Sequence, residues 1–256
     1  MSREITIASL ANGDVERAIE IMSQGADPTI FPYLIHSCFG YAEYVKSILR
    51  LPVECRDTFF FGAYDQDQLL GFSEWRRLGG VFLLSELFIA ADARSGGIGK
   101  QLFEHGRELA IKHNAFVIEL DVFMMNHEAR EWYQRLGFIE RHQTSWILEG
   151  AAHRAKAVIP QGYMVKNFCT AAACQKVYGF SNLEIESGST KYSIGRLGDR
   201  YFRITTMENL YDKQLLSVLR HLDPDRRIVG SIKNLVCCMP DNFHFITKSI
   251  RMHHPL

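Results

Sequence analysis

Neither charge nor hydropathy singles out a macromolecular partner in this sequence. Lysine plus arginine and aspartate plus glutamate number 29 each in 256 residues, so the broad positive field of a dedicated nucleic-acid binder is missing. No lysine or arginine run offers a patch for an anionic membrane surface. No apolar stretch reaches the ~18–20 residues of a membrane span; the most hydrophobic segment, residues 81–91, is interrupted by Ser85 and Glu86. The first nine residues hold no h-region, so no secretory signal is expected. Six cysteines, at 38, 55, 169, 174, 237 and 238, include no C-x-x-C pair, and adjacent Cys237 and Cys238 are badly placed to bond each other or share a zinc. Ten histidines are scattered without ligand spacing. The expectation is a reduced, cytoplasmic chain with ordinary buried thiols, no metal, no nucleic acid and no membrane partner.

What is present is enough apolar material for a core, 47% of residues, in a length that suits one or two domains. A short strand is expected over residues 5–9, then a helix capped by Asn12, with Val15, Ala18, Ile19 and Met22 on one face and Gly25 as its stop. Tyr41, Tyr44, Val45 and Ile48 repeat at helical spacing up to Pro52. Three strand-like segments follow, 58–64, 68–77 and 81–90, joined by turns at Asp65-Gln66-Asp67 and Gly79-Gly80, and predict an antiparallel meander. A helix over 97–113, a strand over 115–123, a helix over 127–135 closed by Gly137 and a strand over 138–148 complete the order βααβββαβαβ. That order implies an α/β fold: one mixed sheet with helices on both faces.

Residues Arg94, Ser95, Gly96, Gly97, Ile98, Gly99 and Lys100 stand between a strand and a helix. A helix start leaves backbone N–H groups unpaired at the positive end of the macrodipole. Glycines there let a pyrophosphate approach the backbone, and Arg94 and Lys100 add charge-assisted donors. A glycine-rich turn opening a helix needs no ligand, however, and short glycine motifs recur by chance. A Rossmann loop fits poorly, because a meander precedes this one. A Walker loop is excluded by the absence of Gly-Lys-Ser/Thr.

The run from Leu87 through Phe88, Ile89 and Arg94 to Gly99 resembles the signature of the GCN5-related N-acetyltransferases (GNAT), an apolar strand followed by Arg/Gln-x-x-Gly-x-Gly/Ala. The run from Asn126 through Ala129, Trp132 and Tyr133 to Gly137-Phe138 resembles the family's second signature, in the family's order and separation. The resemblance implies a GNAT acyl-CoA N-acyltransferase fold over residues 1–166. Its cofactor is acetyl-CoA, released as coenzyme A, and its partner is an amine acceptor. It also implies site roles. Residues 94–100 hold the coenzyme A pyrophosphate. The backbone near Leu87 and Ile89 pairs with the pantetheine arm, with an oxyanion donor near Phe88 or Ile89. Asn126 bonds that arm, and Tyr133 protonates the leaving thiolate. Glu86 is the first candidate base; Glu119 and Asp121 are rivals whose alternative is a salt-bridge role, and water-mediated deprotonation is a fourth route. Tyr133 and Glu86 also have plain alternatives, a packed core tyrosine and a solvent-paired strand glutamate.

Residues 167–256 match no named motif. They are expected to form a smaller C-terminal α+β domain, with a helix over 168–178, a meander over 183–205, a helix placing Tyr211, Leu215, Val218 and Leu219 inward, and later strands at 228–229, 235–236 and 243–246. A basic connector is expected over 151–159, and a last strand of the first domain over 163–166. The pattern echoes the first domain without its glycine loop, as a degenerate GNAT-like lobe would. Such a lobe would cover the substrate cleft or build a homodimer. Phe31, Pro32, Tyr33, His36, Phe39 and Tyr41 either line an acceptor pocket or fill core. The leading function is N-acetyl transfer to a primary amine of a small molecule or protein by direct attack in a ternary complex. The competing one is a non-catalytic acyl-CoA sensor.

Overall fold

A computed structural model describes residues 4–150, 162–235 and 239–256. The connector expected over 151–159 lies outside them, as do Val236, Cys237 and Cys238. The chain divides into two compact units, one of residues 1–27, 42–141 and 250–256, the other of residues 28–41 and 142–249.

The first unit contains β1 (Ile5–Ser9), α1 (Val15–Gly25), α2 (Tyr41–Leu49), β2 (Thr58–Asp65), β3 (Gln68–Leu78), β4 (Val81–Ile89), α3 (Ile98–Lys112), β5 (Val117–Phe123), α4 (His127–Arg135) and the start of β6 (Ile139–Glu149). This is the expected order. Strands run β1-β2-β3-β4-β5, antiparallel until β4, which pairs parallel with β5. Asn12 does not cap α1: it opens a single 3-10 turn, and the helix starts at Val15 behind Asp14. Two faces of the sheet are covered. A Cβ on Gly25 at the end of α1 would meet Phe88, and one on Gly99 in α3 would meet Leu87. Adjacent residues of one strand therefore face different helices, as the strand period requires.

The second unit contains β7 (Tyr163–Val165), α5 (Phe168–Tyr178), β8 (Phe180–Ser187), β9 (Thr190–Leu197), β10 (Tyr201–Ile204), α6 (Met207–Tyr211), α7 (Lys213–Leu222), β11 (Arg227–Lys233) and the first part of β12 (Phe243–Pro255). Its strands run β12-β6-β11-β10-β9-β8-β7. Leu183, Ile185, Ile194, Phe202, Ile204, Leu215, Leu219 and Ile228 lie in its buried core. The sequence of elements resembles that of the first unit: an edge strand, helix (α1 and α2 there, α5 alone here), a three-strand meander, helix (α3 there, α6 and α7 here), then a strand parallel to the last of the meander.

Four expectations need correction. Tyr163–Val165 pairs antiparallel with β8 rather than finishing the first domain. The linear cut at 166 also does not follow the compact units, because the last residues of β12 lie beside β5, where Leu256 N–H donates to Phe116 O at 3.0 Å. Tyr211 is 49% exposed, because Asp212 adopts extended backbone and splits the expected helix after it. The thiols are not uniformly buried: Cys38 is, whereas Cys55 and Cys169 are exposed. Among the described residues no helix is long and apolar enough to cross a membrane.

Helix α3 sits close to the sheet because Gly106 lacks a side chain; a Cβ there would lie 2.0 Å from the fully buried Trp75 ring. A mid-helix glycine gives up about 1 kcal/mol of propensity to alanine, so the close approach is what keeps it. Gly106→Ala is expected to lower unfolding free energy by about 1–3 kcal/mol through overpacking, measured by denaturant titration. A more stable variant would show that the helix can move away freely.

Candidate active site

After β4, a 3-10 turn over Ala91–Ala93 leads into the glycine loop. Ser95 and Gly97 both have left-handed backbone, φ 66° and 75°, and Gly97 is the N-cap of α3. No side chain caps this helix, so the N–H groups of its first turn point out of the loop unclaimed by side chains, at the positive end of a 15-residue dipole. Only Gly97 is glycine for a conformational reason. Cβ atoms at Gly96 and Gly99 would make ordinary contacts of 3.6 Å with Ala93 O and 3.7 Å with Leu87 and Trp132. Packing of the fold does not ask for glycine at 96 and 99, and their absent side chains leave the backbone open to close approach. Exposed Arg94 and Lys100 flank the loop, and Arg94 Nε donates to Ile89 O at 3.4 Å.

The strands leading to this loop separate. β4 is nine residues long, yet its pairing with β5 covers only Val81–Leu84 against Val117–Leu120. Beyond Leu84 both strands continue, β4 to Ile89 and β5 to Phe123. The parting coincides with a bulge: Trp75 pairs with Leu84 and Glu74 with Glu86, leaving Ser85 without a partner across β3. A bulge bends and twists its strand, which is how β4 leaves β5. Strict alternation along β4 fails at this residue. Leu87 and Phe88 lie past it. Leu87 turns toward Gly99 of α3, and Phe88 stacks on Phe72 with ring centroids 6.1 Å apart.

The bulge sets Glu86 directly opposite Glu74, two carboxylates on neighbouring strands. Glu74 is fully buried and held by Arg76, whose Nε and Nη2 donate to Oε1 at 2.7 and 2.6 Å. Desolvation first, and the Glu74 charge second, raise the Glu86 carboxyl well above its usual range against the opposing pull of Arg76. Glu74 and Arg76 were not among the sequence candidates; their signal was a register that only the folded pair of strands reveals.

From α4, Tyr133 lies 9% exposed between Trp132 and Phe138, at centroid distances of 4.9 and 5.6 Å. Burial, then the Glu86 charge, push its phenol far above the usual tyrosine value. The two groups thus sense one another beside the strand opening. Asn126 caps α4, its Oδ1 accepting from Ala129 N–H at 3.1 Å. One face of its amide is committed to the helix, and its NH₂ remains as a donor.

The rival bases are engaged elsewhere. Arg251 donates to both oxygens of Asp121 at 2.8 and 2.7 Å and to Glu119 at 2.8 Å, while Arg141 reaches Glu119 at 2.7 Å. Burial raises the Glu119 carboxyl, but the bonds and charges of the two arginines outweigh it and leave it below its ordinary value. Glu119 is an ion-pair anchor for β12, not a proton acceptor.

The second unit lacks these features at the matching place. All four residues of β10 pair with β11, from Tyr201 with Arg227 to Ile204 with Gly230, so no opening forms. The helix starts that follow β10 are closed by their own side chains. Thr206 Oγ1 accepts from Asn209 N–H at 3.3 Å, and Asp212 Oδ1 accepts from Gln214 and Leu215 N–H at 2.9 and 3.0 Å. A carboxylate in that position repels a phosphate.

A family model described as an acetyltransferase (GNAT) domain matches residues 56–140. The chain is similar over 98% of its length to three solved structures. The tandem GNAT protein from the clavulanic acid biosynthesis pathway is 13% identical, with 98% of that chain covered and a TM-score of 0.66. A putative acetyltransferase from Pyrococcus horikoshii is 13% identical, with 89% covered and a TM-score of 0.63. A GCN5-related N-acetyltransferase from Sphaerobacter thermophilus is 10% identical, with 95% covered and a TM-score of 0.60. At such identities the likeness is one of fold. No curated protein sequence matches the chain. Residues 56–140 thus match an acetyltransferase (GNAT) domain, and the chain as a whole has a two-lobed GNAT-like fold.

Proposed function

We propose that this protein is an acetyl-CoA-dependent N-acetyltransferase acting on a primary amine by direct attack in a ternary complex. The observation that carries the reading is the opening of β4 from β5 at a bulge. It lies between an uncapped glycine helix start and the coupled pair Glu86–Tyr133. Residues 94–100 take the pyrophosphate. The backbone of Leu87, Phe88 and Ile89 takes the pantetheine arm as an added strand, and the Asn126 NH₂ donates to it. Acetyl-CoA supplies the activated acyl group.

The acceptor arrives as an ammonium ion, since an unperturbed primary amine titrates near ~10.4. Only the free amine attacks, so the site must take a proton. Glu86 is suited to it, because burial and the Glu74 charge give its carboxylate a proton affinity above that of an ordinary glutamate. Backbone N–H groups of β4 stabilise the charge that develops on the carbonyl oxygen. Tyr133, kept protonated by burial and by Glu86, donates toward the departing sulfur.

Three outcomes are expected. Glu86→Gln lowers kcat by about 10²–10⁴-fold, and with it disappears the acid limb of the parent's pH–rate profile, which falls as Glu86 protonates at a pH above the ordinary carboxylate range. The sign for stability is opposite. The folded pKa of Glu86 is raised, so its ionisation opposes folding as pH climbs through that value, and Glu86→Gln is no less stable than the parent at pH 8. An acid limb that persists in the variant assigns the base elsewhere.

Gly99→Glu keeps the fold, since its Cβ finds ordinary contacts and an acidic residue suits a helix start. It abolishes calorimetric binding of coenzyme A. Full affinity in this variant removes the pyrophosphate from the loop. Tyr133→Phe preserves the ring packing and lowers kcat about 10²-fold with coenzyme A affinity unchanged. Unchanged turnover removes the phenol from the reaction.

A further inference from the structure

Ser85 is the residue the bulge leaves unpaired, and its Oγ is buried with no hydrogen-bond partner among the described residues. A buried hydroxyl without a partner is destabilising, and a native structure that keeps one calls for an explanation. Bulges do not require serine, and alanine at this position would remove the penalty. Ser85 also stands at the first residue beyond Leu84, the last of β4 to pair with β5, and it adjoins Glu86. A hydrogen-bonding partner that completes Ser85 therefore belongs to whatever enters between the two strands next to Glu86.

Resting on the function proposed above, we infer that the Ser85 hydroxyl donates a hydrogen bond to the carbonyl oxygen of the bound acetyl thioester, making it a side-chain oxyanion donor beside the backbone donors of β4. An acceptor is what the ligand offers at that point: the thioester carbonyl has lone pairs and no proton. The donor is shielded from water, a condition under which such donors act strongly on developing charge. The Ser85 proton stays on Ser85 throughout, and the acceptor's proton still passes to Glu86.

The test uses the full chain and needs no knowledge of the acceptor. Acetyl-CoA and coenzyme A are titrated calorimetrically into the parent, Ser85→Ala and Ser85→Thr. The carbonyl stretch of [1-¹³C]acetyl-CoA is then recorded by difference infrared spectroscopy in each complex. Ser85→Ala is expected to bind acetyl-CoA about five- to tenfold more weakly and coenzyme A, which has no acetyl carbonyl, with parent affinity. Its ¹³C=O band moves to higher frequency, and Ser85→Thr restores the parent band. Its melting temperature is equal or higher, because an unsatisfied hydroxyl has been removed. An identical band and identical acetyl-CoA affinity in parent and Ser85→Ala overturn the inference while leaving the acyltransferase reading intact. Failure of the parent to bind either ligand overturns that reading, and this inference with it.

Discussion

Two parallel strands that pair over four residues and then part leave rows of backbone groups facing across a widening gap. The residues assigned to the proposed site are arranged around that separation. Its cause is local: one extra residue, Ser85, between Leu84 and Glu86 on β4 against the adjacent Glu74 and Trp75 on β3. The bulge turns β4 away from β5 and brings Glu86 opposite Glu74. The same strand ends in the turn that launches α3 with bare N–H groups. Without the extra residue β4 would continue its ladder with β5, the gap would close and Glu86 would face the other side of the sheet.

The second unit shows what the same sequence of elements becomes without the bulge. There the parallel pair β10–β11 is closed along all of β10, and the helix starts that follow carry Thr206 and Asp212 as caps. Each change has a stabilising logic, because capped N-termini and complete ladders satisfy backbone donors that the first unit leaves uncapped or outside the ladder. A repeat relieved of binding can drift toward such satisfaction. The contrast also explains why glycine is dispensable after β10.

Much of the first unit could be read from the chain alone. Helical and strand periods, the turns at Gln66 and Gly79, and the glycines around α3 act within a few residues of one another, and the elements follow them. The glycine loop stands out in the same way, whereas Glu86 and Tyr133 are picked out by the resemblance of residues 84–138 to the family's signatures. What escaped depends on register and on distant partners. Glu74 becomes relevant to Glu86 only through the paired strands. Glu119 and Asp121 look like bases until Arg251, 132 and 130 residues away, closes on them. The return of β12 to the side of β5 follows from no local pattern, and the exposure of Tyr211 turned on whether Asp212 would cap a new helix or continue the old one.

In the proposed function the space between β4 and β5 receives the acyl donor as an added strand. Hydrogen–deuterium exchange of the backbone amides, with and without saturating acetyl-CoA, tests it most directly. The account predicts new protection at residues 86–89 and 96–100, with residues 201–206 of the second unit unchanged. Protection absent from β4 and the glycine loop, or appearing instead at residues 201–206, would contradict it.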